Sequence, residues 1–409
     1  GREIRYRFRM LTLDEARAAI LAEVTPAAAT EVVPLAQAHD RFVARELRAQ
    51  VDNPAFDNSA MDGYALRVAD LLAAGFVLPR RGECRCGDAP GRLAAGATMR
   101  IFTGAPLPEG ADTVVIQEDI RLEGDTVVFP KTVQPGSHLR RHGEDFRQDD
   151  VLYQPGRRLS AYDLALLSAA GVAQIPVYVS ARVLVVATGD ELVAPGAPLR
   201  PGQIYESNRL ATILLLRELG MDAVDGGTVR DEPAALRALL KSSADFDFVI
   251  TSGGASVGDH DLVKQVFAEI GQIKFWKVKI KPGKPIAFGR VGTRTHFFAL
   301  PGNPVSSLVT FKLFVEPALI AWHHGIPRMP QLAATATNDF RRHPGRTEFL
   351  RAHLVSENGK LMATALRGQG SHMLGPLRET NGFIRVEADS AGFKPGETVM
   401  AVPLNTEFS

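Results

Sequence analysis

With 409 residues the chain exceeds one ordinary domain and predicts two to four folding units, each able to bury its own core. Its composition, 45% hydrophobic and 23% charged, excludes a disordered or low-complexity protein. Lys+Arg (47) and Asp+Glu (46) cancel to a net charge of +1, so any anion site must be local and no nucleic-acid partner is expected.

Apolar residues at helical spacing (Leu13, Ala16, Ile20, Val24) behind Thr12 predict a first helix with a threonine N-cap. From Val51 to about Val133 short apolar runs broken by Gly and Pro predict a β-rich lobe. This stretch holds the only cysteines, Cys84 and Cys86, too close together for an ordinary structural disulfide and only half of a zinc ligand set. Ser160, with Asp163 three residues on, opens a second helix that Gly171 closes. No apolar run approaches ~18 residues and no secretory leader is recognisable, so a cytoplasmic protein without a membrane partner is expected.

Past Arg182 buried-looking strands alternate with helices, the grammar of a mostly parallel sheet with crossover helices. Strands are predicted at 183–187, 221–224, 246–251, 273–280, 286–288 and 297–300. Helices are predicted at 208–219, 232–241, 262–270 and 304–321, the last apolar nearly all round. Ile326 to Pro330 reads as a linker, and the rest as a small all-β unit. The predicted organisation is therefore a helical lobe (1–50 and 140–178), a β-rich lobe (51–139), an α/β unit (179–327) and a C-terminal β domain (328–409).

Ligands of open parallel sheets bind beyond the carboxyl ends of the strands, where this chain places its unusual residues. Thr188-Gly189-Asp190-Glu191 follows one strand, Thr251-Ser252-Gly253-Gly254 and on to Asp261 a second, Lys281-Pro282-Gly283-Lys284 a third, and Pro301-Gly302-Asn303-Pro304 a fourth. The glycine loop from Ser252 to Gly258 suits a phosphate, although a plain tight turn would also account for it. Asp259 and Asp261 beside a phosphate require a hard cation such as Mg²⁺, with Ser256 and Asp231 as further oxygen ligands. Along the strand that begins at Ile273, Lys277, Lys279 and Lys281 fall on one face while Trp276, Val278 and Ile280 take the other. That stripe reads either as protection of a sheet edge or as an oxyanion sink completed by Lys284. In the second case the lysines repel one another when no anion is bound, and removing Lys281 leaves stability unchanged or raises it.

Seven strings, DNSAMDGYA (57–65), IFTGAP (101–106), RRHGED (140–145), ATGDEL (187–192), SGGASVGDHD (252–261), KIKPGKP (279–285) and LPGNPVSS (300–307), occur in an order and spacing that resemble the MoeA and gephyrin E-domain family of molybdopterin molybdenumtransferases. The resemblance implies a central α/β unit of the molybdopterin-binding type, a mixed helical and β N-terminal part, a small C-terminal barrel-like domain, and a two-fold symmetric homodimer. Its reaction takes adenylylated molybdopterin and molybdate, hydrolyses the adenylate with Mg²⁺ or another divalent cation, and leaves molybdenum on the dithiolene, with AMP as the other product. Handover between an adenylyltransferase and molybdoenzymes is the implied cellular context.

By that resemblance Asp231, Ser256 and Asp261 serve cation and phosphate, and Glu191 shapes the pterin or nucleotide pocket. Thr188, Gly189, Ser252, Gly253, Gly254, Pro301 and Pro304 contact substrate. Lys277, Lys281, Lys284, Arg351 and Ser371 hold oxyanions, and Asp62, Thr103 and Asp145 belong to the cleft of the N-terminal lobe. Lys279 departs from the family pattern and stays outside the implied site. A pterin adenylyltransferase would share the α/β unit, but DNSAMDGYA and RRHGED lie outside it. A receptor-binding scaffold of gephyrin type is the other alternative, and nothing in the chain resembles an attached scaffold partner domain.

Overall fold

A computed structural model describes residues 10–253, 266, 267 and 269–405, and of residues 273–276 the backbone alone. The chain forms two compact units, one of residues 1–31, 40–42 and 178–409, the other of residues 32–39 and 43–177.

The larger unit begins with α1 (Leu13–Glu23). Thr12 Oγ1 accepts the Glu15 N–H at 3.2 Å and Glu15 Oε2 accepts the Thr12 N–H at 2.9 Å, a reciprocal cap that stabilises by about 1 kcal/mol. Leu13, Ala16 and Ile20 are buried in one core with Phe248, Ile250, Phe288 and Phe298. The first helix thus packs with the α/β body.

The body is built from β1 (Arg182–Thr188), α2 (Asn208–Glu218), β2 (Asp222–Val229), α3 (Pro233–Lys241), β3 (Phe248–Ser252), β4 (Gly271–Lys277), β5 (Ile280–Lys281), β6 (Pro285–Val291), β7 (Thr295–Leu300) and the helical run α4 (Pro304–Trp322). Its six-stranded sheet runs β2-β1-β3-β7-β6-β4. The four strands from β2 to β7 pair in parallel; β6 and β4 are antiparallel. The short connections on either side of β6 explain the change, since parallel neighbours need a crossover of a dozen or more residues and antiparallel ones do not. Every residue of β3 and β7 is buried. Alternate positions feed two cores: Val183, Val185 and Ile250 face one side, Leu184, Val186 and Val249 the other. α4 has the length and hydropathy of a membrane-crossing helix, but 72% of its apolar window is buried inside the unit. It passes through a π-helical turn at Phe311–Val315 directly before Pro317, which has no N–H to continue the ladder.

One expected strand is in fact two. β4 stops at Lys277, Val278 bridges to Leu11, and Ile280–Lys281 turns away to pair in parallel with the C-terminal domain. Lys277, Lys279 and Lys281 therefore do not form a single stripe.

The C-terminal domain contains β8 (Leu332–Ala336), β9 (Thr347–Glu357), β10 (Lys360–Ala365), β11 (Gly382–Val386) and β12 (Thr398–Pro403). These close in the order β9-β10-β8-β12-β11 and back to β9, a five-stranded barrel, and β5 adds alongside β9. Small residues such as Ala334, Ala352, Ala363 and Ala401 fill its interior beside Leu350, Leu354 and Ile384, as a narrow barrel requires.

The second unit carries its own mixed six-stranded sheet, including strands 63–66, 77–84, 98–101 and 113–116. Its helix Ala161–Ala169 has the expected Ser160/Asp163 capping box, and Gly171 at φ +77° ends it. A short helix, Val68–Ala73, interrupts the predicted β region.

Candidate functional site

At the carboxyl ends of β1, β3 and β7 the larger unit opens into a cavity of about 1230 Å³, closed on another side by loops of the barrel. That volume exceeds the ~300–1000 Å³ typical of small-ligand pockets. Local bonds hold the strand ends together. Thr188 Oγ1 donates to the Ser252 carbonyl at 3.3 Å, and the Gly253 N–H donates to the Leu300 carbonyl at 2.9 Å. Gly253 has φ +96°, and a Cβ there would stand 2.6 Å from Thr188 Oγ1 and 2.8 Å from its carbonyl oxygen, so only glycine fits.

Glu191 and Asp231 line the cavity from the loops after β1 and β2. Glu206 lines it too, 5% exposed, with Oε1 accepting the Arg209 N–H at 2.6 Å. Asn208 Nδ2 donates to the Gly302 carbonyl at 2.8 Å and so joins the start of α2 to the loop before α4. Asn303 precedes α4 as expected, yet its side chain makes no cap; Nδ2 donates to Ser371 Oγ at 3.0 Å instead. The Ser371 carbonyl accepts the Val305 N–H at 3.1 Å, which fixes the barrel loop against the first turn of α4.

Lys281 and Lys284 both line the cavity. Lys281 is already paired: its Nζ lies 2.8 Å from Oε1 of Glu348, a carboxylate 3% exposed. The Arg342 guanidinium reaches the other oxygen of Glu348 at 3.4 Å.

Of the residues expected at the site, Thr188, Gly189, Glu191, Asp231, Ser252, Gly253, Lys281, Lys284, Pro301, Pro304 and Ser371 come together here. Lys277, at the end of β4, does not line the cavity. Arg351 does not either. It is 1% exposed, and its guanidinium donates to the carbonyls of Gly368, Gly370 and Met373 at 2.5–3.2 Å, so it shapes the loop that carries Ser371 and does not present donors on the wall. Gly254, Ser256, Asp259 and Asp261 lie outside the described residues.

Asp62, Thr103 and Asp145 belong to the second unit. Asp62 Oδ1 accepts both the backbone N–H and the hydroxyl of Thr103 at 2.8 Å, bonds that hold its carboxyl below the usual carboxylate range. Asp145 Oδ2 accepts Asn53 Nδ2 at 2.9 Å. The exposed Cys86 thiol donates to the Thr103 carbonyl at 2.9 Å, while Cys84 is buried; both are free. Among the described residues no three His, Cys, Asp or Glu side chains are arranged to hold a metal ion. Asp231 and Glu191 nonetheless offer the oxygen donors suited to a hard cation that retains several of its waters.

Sequence reasoning missed Glu206, Asn208, Arg346 and Glu348 as parts of this region. A carboxylate within Tyr205-Glu206-Ser207-Asn208 looks like a helix start, and Glu348 acquires its meaning only from a partner strand 67 positions away in the pairing of Lys281 with Glu348.

Fold and cavity define a multidomain α/β protein with a molybdopterin-binding type of central domain: residues 184–321 match the family described as "Probable molybdopterin binding domain". On either side, residues 11–171 match "MoeA N-terminal region (domain I and II)" and residues 333–404 match "MoeA C-terminal region (domain IV)". A molybdopterin molybdenumtransferase of Haemophilus influenzae is 39% identical over 403 residues, 97% of this chain and 99% of its own length. Molybdopterin molybdenumtransferase 2 of Mycobacterium tuberculosis is 36% identical over 383 residues, 90% of this chain and 94% of that protein. A crystal structure of the molybdopterin biosynthesis moeA protein from Pyrococcus horikoshii superposes with a TM-score of 0.82 at 28% identity, covering 97% of this chain and 100% of that one. The chain belongs to the MoeA family of molybdopterin molybdenumtransferases, enzymes of molybdenum cofactor biosynthesis.

Proposed function

We propose that this enzyme inserts molybdenum from molybdate into adenylylated molybdopterin, with divalent-cation-dependent hydrolysis of the adenylate. The cavity at the strand ends carries this reading: it is large, of mixed polar and apolar lining, with carboxylates on one set of loops and lysines on another. Hydrolysis breaks one phosphoanhydride P–O bond and adds water across it, releasing AMP. Insertion forms two Mo–S bonds and breaks one Mo–O bond, whose oxygen leaves as water with the two dithiolene protons. Glu191 and Asp231 would hold the cation, which neutralises phosphate charge when bound. Lys284 faces the oxyanions, and Thr188, Gly253 and Pro301 form the floor under the substrate.

A homodimer is part of the proposal. Sedimentation tests it, and mixing an inactive Asp62 variant with an inactive Lys284 variant tests whether activity draws on both subunits. The main test is reconstitution of a cofactor-free molybdoenzyme from this protein, adenylylated molybdopterin, Mg²⁺ and either molybdate or tungstate. Activity of the acceptor with release of AMP is expected; AMP release without acceptor activity would leave only the hydrolase half of the reading.

A further inference from the structure

We infer that Arg346 is the principal oxyanion-binding cation on the barrel side of the cavity, acting with Lys284. The inference deepens the function proposed above and rests on it for the identity of the substrate. Arg346 lines the cavity immediately before β9.

Its backbone is fixed on three sides. The Gly345 N–H donates to the Ala388 carbonyl at 2.6 Å, the Thr347 N–H donates to the Lys279 carbonyl at 2.9 Å, and the Arg346 carbonyl accepts from the Arg342 guanidinium. The Arg346 guanidinium, by contrast, has no hydrogen bond or ion pair among the described residues.

The two neighbouring arginines differ. Arg342 donates to the carbonyls of Ser390, Arg346 and Glu387, and Arg351 to those of the Gly368–Met373 loop. Both are structural. Lys281, the cation that sequence would choose first, is neutralised by Glu348 at 2.8 Å. Among the described residues this leaves Arg346 and Lys284 as cavity cations without partners. A guanidinium presents parallel N–H donors that match two oxygens of a phosphate or of a tetrahedral metal oxyanion, which a lysine cannot do. An anchored backbone with an unused fork is the arrangement of a preorganised anion contact.

The ligand class is a tetrahedral oxyanion, supplied either by the nucleotide phosphate or by free molybdate. Calorimetric titration of the full chain with AMP and, separately, with molybdate at low ionic strength distinguishes the two. Arg346→Gln should weaken one of them roughly ten- to hundredfold, and Arg346→Lys should recover part of the loss. A loss confined to AMP assigns the nucleotide phosphate; a loss confined to molybdate assigns the metal oxyanion. Because the guanidinium supports no other group among the described residues, the melting temperature of the ligand-free protein should not move. Unchanged binding of both anions, a wild type that binds neither, or a loss of binding matched by a loss of melting temperature would overturn the inference. A wild type that binds an anion through Arg346 but completes no molybdoenzyme would sink the proposed function and leave Arg346 standing.

Discussion

Glu348 holds Lys281 by its ammonium at 2.8 Å, and the carboxylate is 3% exposed while the lysine side chain is 48% exposed. The pair reverses an expectation drawn from sequence. Two lysines bracketing a Pro-Gly turn should repel, so that losing one costs no stability; here losing Lys281 leaves a buried carboxylate with Arg342 alone, at 3.4 Å. Lys281→Ala should therefore destabilise by about 1–3 kcal/mol, the usual cost of stranding a buried polar group. Chemical denaturation measures it, and Lys281→Ala combined with Glu348→Gln should recover much of the loss. A single variant as stable as the wild type would show that the pair contributes nothing.

Gly253 offers a sharper test of the cavity floor. With φ +96° and Thr188 atoms 2.6 and 2.8 Å from a built Cβ, alanine has to move either β3 or the Thr188 turn. Gly253→Ala should lower turnover at least tenfold and cost ~2 kcal/mol or more through strain and displaced backbone. Wild-type kinetics in a normally folded Gly253→Ala protein would mean that this turn is not part of the site.

The α/β core also contains an acid-sensitive element. Burial, reinforced by Arg290, pushes His296 down to about 4, and burial, with a smaller contribution from Arg41, pushes His323 down to about 4. In each neutral ring Nε2 accepts a backbone N–H, from Thr25 and Ala181 respectively, both at 3.2 Å. The unfolded chain takes up these protons near pH 6.5 and the folded chain only near pH 4. Stability should accordingly fall as pH drops from 6.5 towards 4, by up to about 3 kcal/mol per histidine, and be flat above 7 as far as these groups are concerned. Denaturant midpoints between pH 7.5 and 4.5, compared with those of His296→Gln and His323→Gln, will show whether the slope belongs to these rings.

Arg351 is predicted to act through the loop it supports. Removing its guanidinium leaves the carbonyls of Gly368, Gly370 and Met373 without those donors. Arg351→Met should raise amide exchange across 368–373 and weaken substrate binding more than it slows the chemical step. Unchanged protection of that loop would contradict the role.

Much of this architecture was legible because its signals are local. Thr12 with Glu15 and Ser160 with Asp163 announce two helices, since a capping box is encoded within four residues. The strand ends at Thr188, Ser252 and Pro301 could be placed because Gly, Pro and polar residues follow apolar runs there, and the topology brings those ends together. What the sequence concealed was non-local. Apolar and polar residues go on alternating across 277–281, yet the chain changes sheets at Val278, and nothing before Thr347–Glu348 signals the second partner. Arg351, which the resemblance implies to hold oxyanions, is turned to a structural task by the loop from Gly368 to Met373 folded over it, which lies far along the chain. The role of Glu348 likewise follows from its non-local pairing with Lys281 and Arg342.

The two-residue strand Ile280–Lys281 has a mechanical consequence. A barrel joined to the α/β body only through the 323–331 connection would be free to swing, and the cavity would open and close with it. Ile280 and Lys281 pair with Thr347 and Glu348, and the Lys279 carbonyl receives the Thr347 N–H at 2.9 Å, so the barrel is pinned at a second point well separated in sequence from the first. Rotation about one pin is resisted by the other as long as that strand pairing holds. The pairing thereby restrains the width of the cavity, because body and barrel cannot move apart along that edge without breaking it.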